Sequence, residues 1–231
     1  EGLKRYLAKN STPEIKDSDI LFVQNSLKKA QRPVILYGSG IRSANAQNEL
    51  LELIENTKIP AVYSASAVDI LDGTNEMVIG CAGAMAANRA ANFAIQNADL
   101  ILVLGSRLNS MITGSDINKF AREAKVLVVD IDENEHKKFP EKIDKFIHAD
   151  VKSFLEKMLN ENLEQISPNW VEKCKHWKKE FPKCEKSFKG SDKVDLYELA
   201  DKLTEYMDEN AVCITDAGLE ELIIPTTVTF K

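Results

Sequence analysis

Two polar turns, each following a short aliphatic run, hold the residue types best suited to gripping a ligand. Leu100–Leu104 runs into Gly105-Ser106-Arg107, and Val126–Val129 runs into Asp130-Ile131-Asp132. A guanidinium presents a fixed fork of donors that suits a phosphate or a ribose. Aspartates accept from ribose hydroxyls or from an adenine amino group. Gly105, Ser106, Arg107, Asp130 and Asp132 are therefore candidate ligand contacts. Each also has a structural reading: Arg107 can pair with either aspartate across the strand ends, and either aspartate can cap a helix over 133–138. A third turn, Gly38-Ser39-Gly40, stands between the strand-like Val34-Ile35-Leu36-Tyr37 and a helix. A pyrophosphate can meet helix N-terminal N–H groups at such a place. The alternative is a tight turn that needs small residues. The third glycine of a dinucleotide fingerprint falls at Ser43, and Val62-Tyr63-Ser64 closes the second strand without an acid, so the ribose clamp of an NAD site is missing.

Other chemistry is sparse. His136, His148 and His176 are scattered, with no nucleophile pattern beside them. Cys174, His176 and Cys184 are close in sequence, but Cys174 belongs to an apolar helical stripe that His176 does not share, which argues against a metal site. No paired-carboxylate or Ser/His/Asp arrangement is convincing.

The elements that must position these turns read as alternating helices and strands. Asp17 or Ser18 opens a helix with Ile20, Val23, Leu27 and Ala30 on one face. Strands are expected at 34–37, 59–64, 100–104 and 126–129, with Phe146-Ile147-His148 as a sixth short apolar segment; runs that are apolar on both faces indicate burial on both sides. Between them, helices are expected from Ser43 to about Asn56, from Ala84 to about Ala98, and briefly over Asp116–Ala124. Residues 65–83 read as loop, and Asp150 caps a helix containing Phe154, Leu155, Met158 and Leu159. The pattern predicts an α/β fold: a doubly wound, six-stranded parallel sheet of Rossmann type with a helical C-terminal extension. Ligands of such sheets sit beyond the carboxyl ends of the strands. Residues 1–18 are expected to be a linker, 19–162 the α/β domain and 163–192 a helical linker carrying the stripe Trp170, Cys174, Trp177 and Phe181. Residues 193–231, with a helix opened by Asp195 (Leu196, Leu199, Ala200, Leu203 and Met207 inward) and a strand at Ala211–Thr215, are expected to begin a further domain.

The 231 residues carry 30 basic and 36 acidic side chains, net −6, which argues against a nucleic-acid surface. No run approaches a membrane span. Four dispersed cysteines without a Cys-x-x-Cys pair read as reduced thiols and suggest a cytoplasmic protein. The start, Glu-Gly-Leu-Lys-Arg-Tyr, has neither an initiator Met nor a signal region, as expected of a segment of something longer.

Arg32-Pro-Val-Ile-Leu-Tyr-Gly-Ser-Gly, Asp99–Gly114 and Val126–Asp132, taken in order, resemble the central domain of thiamine-diphosphate-dependent enzymes, most closely the acetolactate synthase large-subunit group. The resemblance covers about residues 19–160, and Cys213-Ile-Thr-Asp-Ala-Gly218 is similar to the first strand of that family's diphosphate-binding domain. It implies a parent enzyme, a transferase or lyase, that decarboxylates or carboligates a small 2-keto acid. That parent would use thiamine diphosphate and Mg²⁺, and would be a homo-oligomer containing N- and C-terminal domains beside this one. The family's cofactor motif, Gly-Asp-Gly followed by an Asn, is not in this sequence, so the segment itself is expected to be inactive. The resemblance also implies an FAD site, or in some relatives ADP, at Gly38, Ser39, Gly40, Gly105, Ser106, Arg107, Asp130, Ile131 and Asp150. Met111 stands where the acetolactate synthases carry a second Arg, and Ala149-Asp150 replaces their Gly-Asp. Ala217, Gly218, Leu219 and Glu220 match the turn that touches the diphosphate in relatives. The alternative is a structural or nucleotide-binding assembly domain without a cofactor. A sirtuin-like deacylase, of similar fold, is disfavoured by the lack of Cys-x-x-Cys pairs.

Overall fold

A computed structural model describes residues 13–85, 87–137, 140–190, 192–208 and 210–230. Most of the expected N-terminal linker, residues 1–12, lies outside them. Strands β1 (Pro33–Tyr37), β2 (Ala61–Tyr63), β3 (Val78–Cys81), β4 (Leu100–Leu104), β5 (Lys125–Asp130) and β6 (Lys145–His148) form one sheet in the order β3-β2-β1-β4-β5-β6. Every pairing is parallel. The expected fold class is the one observed.

The helices are α1 (Asp17–Lys29), α2 (Gly40–Ser43), α3 (Gln47–Thr57), α4 (Arg89–Asn97), α5 (Ser110–Thr113), α6 (Glu133–His136), α7 (Val151–Leu159), α8 (Pro168–Glu180), α9 (Leu196–Tyr206) and α10 (Leu219–Thr227). Strand residues alternate between two buried layers. Ile35, Tyr37, Leu102, Leu104, Leu127 and Val129 pack with Val23 of α1, Leu50, Leu53 and Ile54 of α3, and Phe154, Leu155 and Met158 of α7. Val34, Leu36, Ile101, Val103, Val126 and Val128 pack with Ala90, Ala91 and Ala94 of α4 and with Trp170 and Cys174 of α8. The small residues of α4 let it lie close to the sheet, as their spacing predicts.

Several elements differ from expectation. The stretch 65–83, read as loop, contains the edge strand β3 and a 3₁₀ turn at Ala65–Ala67. The alanine-rich helix starts at Arg89 rather than Ala84, because Asn88, its N-cap residue, turns its Oδ1 back to accept from Cys81 N–H at 2.8 Å. Asp116–Ala124 forms only a 3₁₀ turn at Ile117–Lys119. The helix expected from Ser43 begins later, as α3 at Gln47 with Ala46 as its N-cap residue; Ser43 instead ends α2, and Asn45 between the two adopts φ 54°. Lys16, not Asp17 or Ser18, is the N-cap residue of α1, and Asp17 and Asp19 lie in its first turn, where acids complement the helix dipole. In α9, whose cap is Asp195 as expected, only Ala200 is fully buried and Leu199 is exposed.

Ala211–Thr215 is not a strand. It pairs with no strand among the described residues, and Val212 and Ile214 stand 82% and 89% exposed. A β-patterned run without a ladder partner has no hydrogen bonds to fix it as one. The chain then forms α10, with Glu220 and Glu221 in its first turn.

Candidate functional site

The strand order turns outward from β1 and β4, which lie side by side, so their carboxyl ends form the switch point where α/β sheets hold ligands. The turns after these strands pack directly on each other. A Cβ built on Gly38 would stand 2.5 Å from the Gly105 carbonyl oxygen and 2.6 Å from Cα of Ser106; one on Gly40 would stand 2.7 Å from Cα of Gly105. Gly105 itself adopts φ 54°. The backbone amides bind the scaffold: Gly38 N–H donates to Leu104 O at 3.0 Å, Gly40 N–H to Gly105 O at 2.9 Å, and Gly105 N–H to Val129 O at 3.0 Å. These glycines serve the meeting of two turns, and the tight-turn reading is the one the geometry supports.

Beyond them opens a cleft of about 820 Å³. Ser39, Gly40, Gly105, Ser106, Arg107, Asp130, Ile131 and Asp150 line it together, and Gly38 is not among the lining residues. Ser106 is only 2% exposed, and its Oγ has no hydrogen-bond partner among the described residues. Arg107 is exposed. Asn109 caps α5 by accepting from the N–H groups of Met111 and Ile112, which sets the Met111 side chain on the cleft wall. Each aspartate holds a turn with one oxygen. Asp130 Oδ1 accepts from Asp132 N–H at 3.0 Å, Asp132 Oδ1 from Asn134 N–H at 2.9 Å, and Asp150 Oδ1 from Ser153 N–H at 3.0 Å. Asp132 is thus the cap of α6, as its position before Glu133 suggests. His148 joins the site indirectly, with Nε2 bonded to the Ile131 carbonyl at 2.9 Å.

The remaining wall comes from distant sequence. Ser64 and Ser66 follow β2, and Glu221, Leu222 and Pro225 arrive on α10. No local motif marks any of these, and Pro225 disguises the helix that carries three of them. Asn88 Nδ2 donates to the Thr226 carbonyl at 3.0 Å, Gly73 N–H to Phe230 O at 2.8 Å, and Thr229 N–H to Thr204 Oγ1 at 3.0 Å, so the end of α10 is latched to the N-cap of α4, the 72–76 loop and α9.

A family model described as thiamine pyrophosphate enzyme, central domain, matches residues 22–158. The chain belongs to this family. The matched span holds all six strands. Among curated relatives, the chain is similar to 2-hydroxyacyl-CoA lyase 1 of Dictyostelium discoideum, 38% identical over 112 residues (48% of this chain, 18% of that protein). It is also similar to the acetolactate synthase isozyme 1 large subunit of Escherichia coli K12, 28% identical over 214 residues (93% and 37%). A probable acetolactate synthase large subunit of Methanocaldococcus jannaschii is 34% identical over 125 residues (54% and 20%). The chain spans between 18% and 37% of the length of these three relatives.

The residues present fit neither diphosphate that the resemblance implies. No group of three or more His, Cys, Asp or Glu among the described residues is placed to hold a metal ion. At the turn expected to meet the diphosphate of thiamine diphosphate, a Cβ on Gly218 would stand 2.7 Å from both carboxylate oxygens of Glu220, so negative charge lies over that turn. In the central cleft the Gly38 and Gly40 amides are already bonded, and Met111 supplies no positive charge.

One cation at the latch has a measurable consequence. Lys183 Nζ donates to the Val228 carbonyl at 3.0 Å and to Thr229 Oγ1 at 3.3 Å. Burial, with the Lys178 ammonium nearby, pulls its pKa down to about 8. The unfolded chain keeps that proton to about pH 10.5, so above about pH 8 it binds more protons than the folded one and stability rises with pH. The thiols of Cys81 and Cys174 act in the opposite sense, because burial pushes both up to about 12 whereas they ionise near 9 in the unfolded chain. Unfolding free energy is expected to rise by roughly 0.3 kcal/mol between about pH 8 and pH 9, where the lysine outweighs the two thiols, then to fall. Urea unfolding of the natural chain and of Lys183→Met across this window measures it. An equal rise in the variant would show that Lys183 is not its source.

Proposed function

We propose that the chain is the central region of a thiamine-diphosphate-dependent decarboxylase or carboligase of a small 2-keto acid, and that by itself it is a non-catalytic scaffold with one organic-ligand cleft. The observation that supports this most is a complete, family-matched sheet with an open cleft at its switch point. In this reading, residues 19–162 are the central domain, 163–192 a helical linker, and 193–231 the beginning of the diphosphate-binding domain. The parent acts in the cytoplasm as a homo-oligomer with Mg²⁺, and its chemistry takes place at surfaces contributed by its other domains.

Purified chain incubated with pyruvate, thiamine diphosphate and Mg²⁺ should consume no pyruvate beyond a protein-free blank. Turnover at an enzymatic rate would end the reading of this segment as non-catalytic. The same preparation should show no flavin absorbance, since the cleft does not fit the FAD diphosphate.

A further inference from the structure

We propose that α10 is a lid over the switch-point cleft, hinged at Pro225 and latched beyond it, whose swing controls entry to the cleft. Such a gate acts whether or not the chain is itself catalytic, and pyruvate turnover tests that reading separately.

Burial along the helix is graded. Leu219 is 64% exposed and Glu221 is exposed, Leu222 to Pro225 are half-buried, and Thr226, Thr227 and Val228 are buried. The buried end is also the bonded end. The Thr226 and Val228 carbonyls accept from Asn88 Nδ2 and Lys183 Nζ, each at 3.0 Å, and Thr229 N–H reaches Thr204 Oγ1 at 3.0 Å. No side-chain hydrogen bond caps the opposite end, at Gly218. The run before it, 211–215, pairs with no strand among the described residues. One end of α10 is therefore fixed, and the other is tethered by chain without a ladder. Segments with few buried contacts open locally at small cost.

The joint between the two ends is built into the helix. Pro225 has no N–H to give the Glu221 carbonyl, so a rung of the helical ladder is missing where the half-buried part meets the buried part. Thr226 Oγ1 donates back to the Leu222 and Ile223 carbonyls at 3.2 and 2.9 Å, an arrangement that favours a bend. The half before the joint carries Glu221 and Leu222, which with Pro225 form one wall of the cleft. α10 rests on the 3₁₀ turn at Ala65–Ala67, beside Ser64 and Ser66, which line the same cleft. Rotation about Pro225 carries Glu221 and Leu222 away from that turn while the latched end stays in place, a hinge closure confined to one helix.

The test is labelling with N-ethylmaleimide, read by mass spectrometry, of the whole chain carrying Ser64→Cys. Ser64 is 6% exposed on the cleft wall. The native Cys174, buried in the core, reports global unfolding, and the exposed Cys213 reports unprotected reaction. The introduced thiol is expected to react at least about tenfold faster than Cys174 and at least about tenfold slower than Cys213. Asn88→Asp keeps an oxygen to accept from Cys81 N–H and removes the donor to Thr226, so it should speed labelling at position 64 several-fold relative to Cys174. Thr204→Val, which removes the Thr229 acceptor, should act the same way and decides the matter if Asn88→Asp does not fold. Pro225→Ala supplies the missing donor and should slow labelling several-fold. A thiol at position 64 that keeps pace with Cys174 would mean that the cleft opens only when the chain unfolds. One that keeps pace with Cys213 would mean that it is never covered. Either result overturns the lid, and so do latch and hinge variants that leave the rate relative to Cys174 unmoved.

Discussion

Trp170→Ala is expected to lower the stability of the chain by about 3–5 kcal/mol, the largest single-residue loss from the face covered by α4 and α8. Trp170 is 3% exposed and fixes the first turn of α8 against the beginning of β1, where its indole N–H donates to the Pro33 carbonyl at 2.9 Å. Its ring meets Trp177 edge-on with centroids 5.8 Å apart, and Trp177 in turn meets Phe93 of α4 at 5.8 Å. Truncation therefore opens a cavity, removes an aromatic contact and leaves a buried carbonyl without its donor. Trp170→Phe separates these effects. It keeps most of the apolar area and loses the indole donor, for an expected loss of about 1–2 kcal/mol. Urea denaturation measures both. A loss below about 1 kcal/mol for the alanine variant would mean that α8 is not part of the cooperative core.

Gly38→Ala should destabilise by about 3 kcal/mol, although it adds a single methyl group. The methyl would enter the Gly105–Ser106 backbone, which is not a flexible side-chain tip that can swing aside. Relief requires the β1 and β4 turns to separate, which strains the Gly40 N–H to Gly105 carbonyl bond. The same movement displaces Ser106 and Arg107, so any ligand affinity of the cleft should fall with stability. Thermal unfolding of the variant beside the natural chain checks this. An alanine variant with unchanged melting would show that the turns are looser than their spacing implies.

The sequence makes most of the sheet readable. Val34–Tyr37, Leu100–Leu104 and Val126–Val129 are apolar on both faces, and only a central parallel strand needs that pattern. β3 was hidden because Gly80 interrupts its run and because it lies at the edge, where its register against β2 shifts between Ala61 and Val62. Ala211–Thr215 misled for the converse reason: its pattern is that of a strand, but pattern cannot supply a neighbour to pair with. The cleft was readable where it is local. Three turns found from composition alone do converge, because each follows a strand of the same parallel sheet. Their glycines proved to be needed by one another, which no single turn can reveal. Glu221, Leu222, Ser64 and Ser66 were beyond reach, since their place depends on how a terminal helix and a β2 loop come together over the sheet.

The latch at the end of α10 also bears on the order in which the molecule comes into being. Asn88 must wait 138 residues for Thr226, and Lys183 another 45 for Val228. A chain emerging N-terminus first can build its sheet and both helical layers long before the last wall of the cleft has been synthesised. The pocket is thus a late part of the fold, dependent on α10, while the strands beneath it are already set.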